Sequence, residues 1–269
     1  MRIVIAAVFL LQSVFAQVQD FGHAGQIDWE HRTVVAKGIG VPNPNMPAVT
    51  ARPMAIQAAR SDALRNALEL VKGIQVTSTT TVENFMVSSD VIRKEVSGYI
   101  RTFTESEPRY MDDKSIEITV TIPVDNQLAQ AVLPENTGNA NGGPVAKSPE
   151  MVASSAGFSG LIIDARGLGV IPALAPKIYD EDGKEVYGSA YVSREFAIKW
   201  GMAGYAKTPE QASLSKDRVG ATPGVVKALK ATGASKCDLV LSRKDAQSVQ
   251  DAAKSMSFLS DCRVIIVVD

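Results

Sequence analysis

The chain is poor in the side chains on which most enzyme chemistry depends. Its 269 residues include two histidines and two cysteines. His23 and His31 both lie near the start, so a histidine-based triad or a multi-histidine metal site has almost no material. No Gly-x-Ser-x-Gly elbow occurs, and Ser-x-x-Lys spacings are no more than chance supplies. We therefore expect no enzyme activity, no cofactor and no metal. Charge of one sign is lacking as well: 28 basic side chains face 29 acidic ones, for a net charge of −1. A nucleic-acid partner would call for a basic stripe that displaces counterions, and an anionic membrane surface for a polybasic cluster. Neither is present, so neither partner is expected. Aromatic residues make up only 6% of the chain, and Trp29 and Trp200 read as core-filling side chains before partner anchors.

Long hydrophobic runs are equally scarce. The run from Ile3 to Phe15 follows Met1 and Arg2 and is interrupted at Gln12 and Ser13. It falls short of the about 20 apolar residues that span a bilayer. With Val14 and Ala16 at its end, it reads as a secretory signal peptide over residues 1–16, cleaved between Ala16 and Gln17. The two cysteines, Cys237 and Cys262, lie far from that site, so no thiol is available there for acylation. The protein is expected to be exported without a direct lipid anchor.

What is present organises into two domains. After an N-terminal segment (17–26), residues 27–133 alternate strand-like and helix-like stretches. Residues 134–156 are dense in Gly, Pro, Asn and Ser, lack apolar periodicity and read as a flexible linker. Residues 157–269 then form a C-terminal α/β domain. In the first domain a strand is expected from Ile27 to Gly40, ended by Pro42, Pro44 and Pro47. A helix follows over 54–74, with Ile56, Ala59, Ala63, Ala67, Leu70 and Ile74 at steps of three or four. Its small inner residues suit a helix lying close on a sheet. Gln75 to Phe85 reads as a Thr-rich strand, and Ser88 or Ser89 caps a helix carrying Ile92, Val96 and Tyr99. Strands at 101–110 and 115–124 meet at a turn containing Asp112 and Asp113, and a short helix over 126–133 closes the unit.

The succession Val34-Val35-Ala36-Lys37-Gly38-Ile39-Gly40, the Pro-rich loop, Ala55-Ile56-Gln57-Ala58-Ala59-Arg60 with Ala63 and Ala67, and Lys72-Gly73-Ile74-Gln75-Val76 resembles a bacterial envelope domain. That domain belongs to the FlgP-type outer-membrane lipoprotein and FlgT N-terminal flagellar ring family. The resemblance covers about the first 130 residues and implies a non-enzymatic module that assembles in the periplasm or at the outer membrane. Its implied partners are further copies of itself and other envelope or flagellar basal-body proteins. The chain departs from the lipoproteins in having no cysteine to acylate, so any outer-membrane association is expected through protein contacts.

The second domain opens with a buried strand, Leu161 to Ala165, followed by Gly167-Leu168-Gly169. A phosphate cradle would need a third glycine opening a helix, whereas Pro172 and Pro176 follow, so a tight loop is favoured. Lys177 to Tyr179 and Lys184 to Tyr187 read as a hairpin around Asp180-Glu181-Asp182-Gly183, a turn lacking the spacing of a calcium loop. A short helix and strand are expected within 193–207, and 223–231 reads as either helix or strand. Strand 238–241, helix 244–259 and strand 263–268 read as a parallel β-α-β unit ending a mixed sheet. If those strands are neighbours, Cys237 and Cys262 share one edge of the sheet and form a disulfide. The fold class is therefore α+β in two domains, the first a small sheet with one long Ala-rich helix. The function expected is a non-enzymatic periplasmic structural protein, a subunit of a flagellar-associated ring or disk. The alternative is a monomeric envelope binding protein whose C-terminal domain recognises a small ligand, peptidoglycan or another protein.

Overall fold

Strict alternation along Ile116, Ile118, Val120 and Ile122 puts every second side chain of one strand into the core, and the first half is built around it. A computed structural model of the protein describes residues 18–124, 126–133 and 158–269. The expected signal peptide, its expected Ala16–Gln17 cleavage site and the linker expected at 134–156 lie outside the described residues. In order come β1 (Val18–Asp20), β2 (Gly25–Asp28), β3 (Thr33–Gly40), α1 (Ala48–Gly73), β4 (Gln75–Thr77), β5 (Thr80–Thr81), α2 (Val82–Ser88), α3 (Asp90–Tyr99), β6 (Thr104–Glu105), β7 (Arg109–Tyr110), β8 (Ile116–Pro123) and α4 (Asn126–Val132). The sheet runs β1-β2-β3-β8-β6, with β7 also on β8, and every pairing is antiparallel.

α1 lies on this sheet as closely as its alanines suggest. It buries Ala51, Ala55, Ala59, Ala63 and Ala67 in one line, continued by Leu70 and Val71. Beneath it, Gly38 and Gly40 of β3 have no room for a side chain: a Cβ on Gly38 would overlap the Ala63 amide and Ala59 carbonyl, and one on Gly40 the Ala55 carbonyl. The helix begins six residues before the expected Met54 and carries Pro53 within its opening turns. The expected first strand is two, β2 and β3, joined by a turn that exposes His31. The Thr-rich strand expected to Phe85 stops at Thr81. There the Thr81 side chain accepts from the Asn84 amide while the Asn84 side chain accepts from the Thr81 amide, a capping box that starts α2. Ser89 caps α3, as its position suggests.

The second half contains β9 (Leu161–Asp164), β10 (Ile178–Tyr179), β11 (Glu185–Tyr187), α5 (Arg194–Trp200), β12 (Gly204–Ala206), α6 (Pro209–Leu214), α7 (Lys216–Val219), β13 (Gly224–Thr232), β14 (Asp238–Leu241), α8 (Arg243–Ser255) and β15 (Val264–Val267). Its seven strands run β11-β10-β14-β13-β9-β15-β12. The protein is thus α+β, with a long Ala-rich helix in the first half and a mixed sheet containing parallel strands in the second. The ambiguous stretch 223–231 is a strand at the centre of that sheet. The final strand is parallel to both neighbours, but these are β9 and β12. β14, which precedes α8, lies three places away, beyond β13 and β9, and is antiparallel to β13. Since β13, β9 and β15 are mutually parallel, β14 and β15 run in opposite directions.

That order overturns the expected disulfide. Cys237 precedes β14 and Cys262 precedes β15, so the opposed strands place them at opposite ends of the sheet. Three strand spacings alone separate them by about 14 Å, whereas disulfide Cα atoms lie within about 7 Å. Both cysteines are free and fully buried. Burial pushes the Cys237 thiol up to about 12 and the Cys262 thiol up to about 11.

Candidate functional site

The two halves share one hydrophobic core, from Ile27 and Ala63 on one side to Leu239 and Ile266 on the other. Main-chain bonds stitch the seam. Leu174 N–H donates to Gln75 O at 2.9 Å, Ala175 N–H to Val76 O at 2.7 Å and Ser235 N–H to Ser78 O at 3.0 Å. Trp29, 4% exposed, meets Tyr205 of β12 edge-on with ring centroids 5.5 Å apart. The core reading of Trp29 is therefore correct, and that core is the junction itself. Tyr205 Oη in turn donates to Ala173 O and accepts from Ala173 N–H, both at 2.8 Å.

Two arginines that carried no sequence signal clamp this junction. Arg218, from α7, donates Nε–H to Val264 O at 2.9 Å and Nη–H groups to Trp200 O at 2.6 Å and Gly201 O at 2.9 Å. Arg32, from the first half, donates to the same Trp200 carbonyl at 3.0 Å. One guanidinium thereby ties the last strand to the end of α5, and another ties that same peptide to the first sheet. Desolvation draws the Arg218 guanidinium down to about 10, still well above neutral pH, so it remains a cation. Glu30 and Gln211 add a further hydrogen bond across the seam. Trp200 itself is half-buried, with Lys199 Nζ 5.4 Å from its ring centroid.

Beside the junction an open cleft of about 400 Å³ lies on the outer face of the second sheet. The register puts Tyr179, Val240 and Lys230 in one row across β10, β14 and β13, and Asp238 beside Thr232 in the next. The hairpin turn after β10 forms one wall and Ser78 of the first half another. Asp238 is 3% exposed; its Oδ1 accepts from Lys177 N–H at 2.9 Å. Lys177 Nζ is committed to Glu185 at 2.8 Å, a bond that raises its pKa. A buried acid opening the otherwise apolar run Leu239-Val240-Leu241 was the visible signal for this place, and sequence reasoning passed over it.

The other residues singled out in the sequence settle into structural roles. Gly167 and Gly169 take positive φ in a tight loop, and the Gly167 amide donates to the Asp269 carboxylate, so the amide a phosphate would need is occupied. Asp180 Oδ1 accepts from the amides of Asp182 and Lys184, closing a hairpin turn. Asp113 accepts from the Ser115 amide and hydroxyl, which holds its carboxyl below the usual range. His23 is exposed, and exposed His31 sits 2.8 Å from Asp28. Among the described residues no group of three His, Cys, Asp or Glu side chains could hold a metal ion, and no helix is long and apolar enough to cross a membrane.

Residues 160–269 match a protein family described as Treponema pallidum Tp0624, second domain. No curated protein matches the chain.

Proposed function

We propose that the protein is a non-enzymatic structural component of the bacterial periplasm that acts as a subunit of a larger envelope assembly, of the flagellar ring or disk kind. The observation that carries this reading is the junction. A continuous core, backbone bonds and two arginines on one carbonyl make the halves a single block, whereas a protein that closes on a ligand between domains needs a seam that opens. Rigid blocks suit assembly because little conformational freedom is lost on association.

Exposed apolar side chains support the same reading. Val225 and Leu229 stand 57% and 50% exposed on the outer face of β13, a central strand whose outward side is uncovered. Val41, Val49 and Tyr110 are 71%, 83% and 63% exposed on the first half. In this reading those side chains are the ones that meet neighbouring subunits. The flagellar part of the proposal rests on the resemblance of residues 27–133 alone. Imaging of basal bodies from cells with and without the protein tests it. Loss of a ring or disk density on deletion is the expected result; unchanged basal bodies and unchanged motility would refute the flagellar assignment.

A further inference from the structure

The cleft beside the junction holds an arrangement that the assembly reading does not use. Lys230 and Asp238 occupy diagonal positions on one face of the β13-β14 pair, with Cα atoms about 7 Å apart by the geometry of such pairs. They carry opposite charge, yet no ion pair joins them among the described residues. Lys230 is exposed and makes no hydrogen bond there. Asp238 is almost wholly buried, and only its Oδ1 receives a donor. Gly233, at φ +84°, packs tightly between Ser78 and Asp238: a Cβ there would lie 2.4 Å from Ser78 Cβ and 3.0 Å from Asp238 Oδ2, so glycine is what lets the two approach each other at this edge of the cleft. Asp238 lines the cleft and its Oδ2, which no protein donor meets, is open to solvent there, so a ligand ammonium is the group it would accept best.

We infer that this cleft binds a small zwitterion, an α-amino acid or a dipeptide, through its two charged ends. The ammonium sits against Asp238 Oδ2 with the Ser78 and Thr232 hydroxyls beside it, and the carboxylate meets the Lys230 ammonium one strand away. Val240 forms the apolar floor between them and the Tyr179 ring one side, where an aliphatic side chain packs. The volume of about 400 Å³ falls at the small end of ligand pockets, which span about 300 to 1,000 Å³. Acidic groups at the rim do not compete: Asp180 is engaged with its own turn, and Glu181 accepts from the Arg243 amide at 2.9 Å. The inference does not depend on assembly, because all of these groups belong to one chain.

The test is titration of the full mature chain with L-alanine and L-alanyl-L-alanine, read by calorimetry and by amide chemical shifts. Parallel titrations use alanine amide, which lacks the carboxylate, and N-acetyl-alanine, which lacks the ammonium. Saturable binding is expected, with shifts at Ser78, Thr232, Gly233 and Val240. Each blocked compound should bind about tenfold to a hundredfold more weakly, the equivalent of one charge-assisted bond. Lys230→Met changes an exposed side chain and leaves the fold intact; it should abolish the preference for alanine over alanine amide while keeping the preference over N-acetyl-alanine. Asp238→Asn retains an acceptor for Lys177 N–H and should show the converse pattern. No saturable shift in the cleft up to about 10 mM, or equal affinity for blocked and unblocked compounds, overturns the inference.

Discussion

Replacing Arg218 by methionine is the perturbation that most exposes how the two halves are held. Methionine keeps much of the stem's volume and removes only the guanidinium. That group donates to three main-chain carbonyls, Val264, Trp200 and Gly201, at 2.6 to 2.9 Å. The Trp200 carbonyl keeps a donor in Arg32, whereas Val264 O and Gly201 O lose the arginine donor. Bonds from a charged donor are worth about 1.5 to 3 kcal/mol each, and an acceptor stranded in the interior costs about 1 to 3 kcal/mol. Against this, the variant no longer desolvates a cation, the cost expressed in the fall of the arginine pKa to about 10. The remainder is a destabilisation of about 3 kcal/mol. Urea unfolding of a chain spanning residues 17–269 measures it as a fall in midpoint at unchanged slope. Arg218→Lys should recover less than half, because one ammonium cannot reproduce the planar fork. A loss below about 1 kcal/mol for the methionine variant would refute the clamp as a main element of the junction.

Other outcomes follow from the same geometry. Gly38→Ala or Gly40→Ala drives a methyl group into the α1 backbone and should cost about 3 kcal/mol or more in thermal or urea unfolding, above the usual range for overpacking because backbone rather than a side chain must move. Trp29→Ala should cost about 3 to 5 kcal/mol and expose the Tyr205 side of the seam, seen as faster amide exchange in β12. Ellman's reagent at pH 8 should find no reactive thiol in the folded chain and two after unfolding without reductant; a single disulfide found on unfolding would contradict the strand order. His31 has its pKa raised above 6.5 chiefly by the hydrogen bond that its ring N–H donates to Asp28. Its small stabilisation is therefore full below 6.5 and lost as pH rises through the folded value. The His31→Gln variant should flatten that shallow slope in a pH series of melts.

How much of this was legible depends on the range of the interaction. Ala59, Ala63 and Ala67 announced a helix lying close on a sheet, because periodicity and side-chain size are local properties, though the buried position one turn earlier is Ala55 and not the expected Ile56; Gly38 and Gly40 supply the other half of that contact. Thr77 to Thr81 misled, since β-branched residues favour a strand while a single reciprocal bond with Asn84 turns the chain into α2. Thr208 and Pro209 are a helix start of the ordinary kind, an N-cap followed by proline at the first position, and were passed over between two glycine-rich stretches. Strand order lay out of reach. Leu239-Val240-Leu241 and Val264-Ile265-Ile266 look alike as buried strands, and nothing local says that β13 and β9 insert between them. The disulfide expectation failed with that assumption. Arg218, an unremarkable cation in a short helix, becomes a clamp only through carbonyls 17 to 46 residues away.

As proposed, the two-part block builds a larger assembly by self-association. Sedimentation velocity of residues 17–269 across a concentration series reads that self-association. Reversible growth to species larger than a dimer is expected as concentration rises into the micromolar range, weakened by Val225→Asp or Val49→Asp without loss of fold. A single monomeric species at all concentrations up to about 100 μM, where even a weak interface with a dissociation constant near that value would populate oligomers, would contradict it.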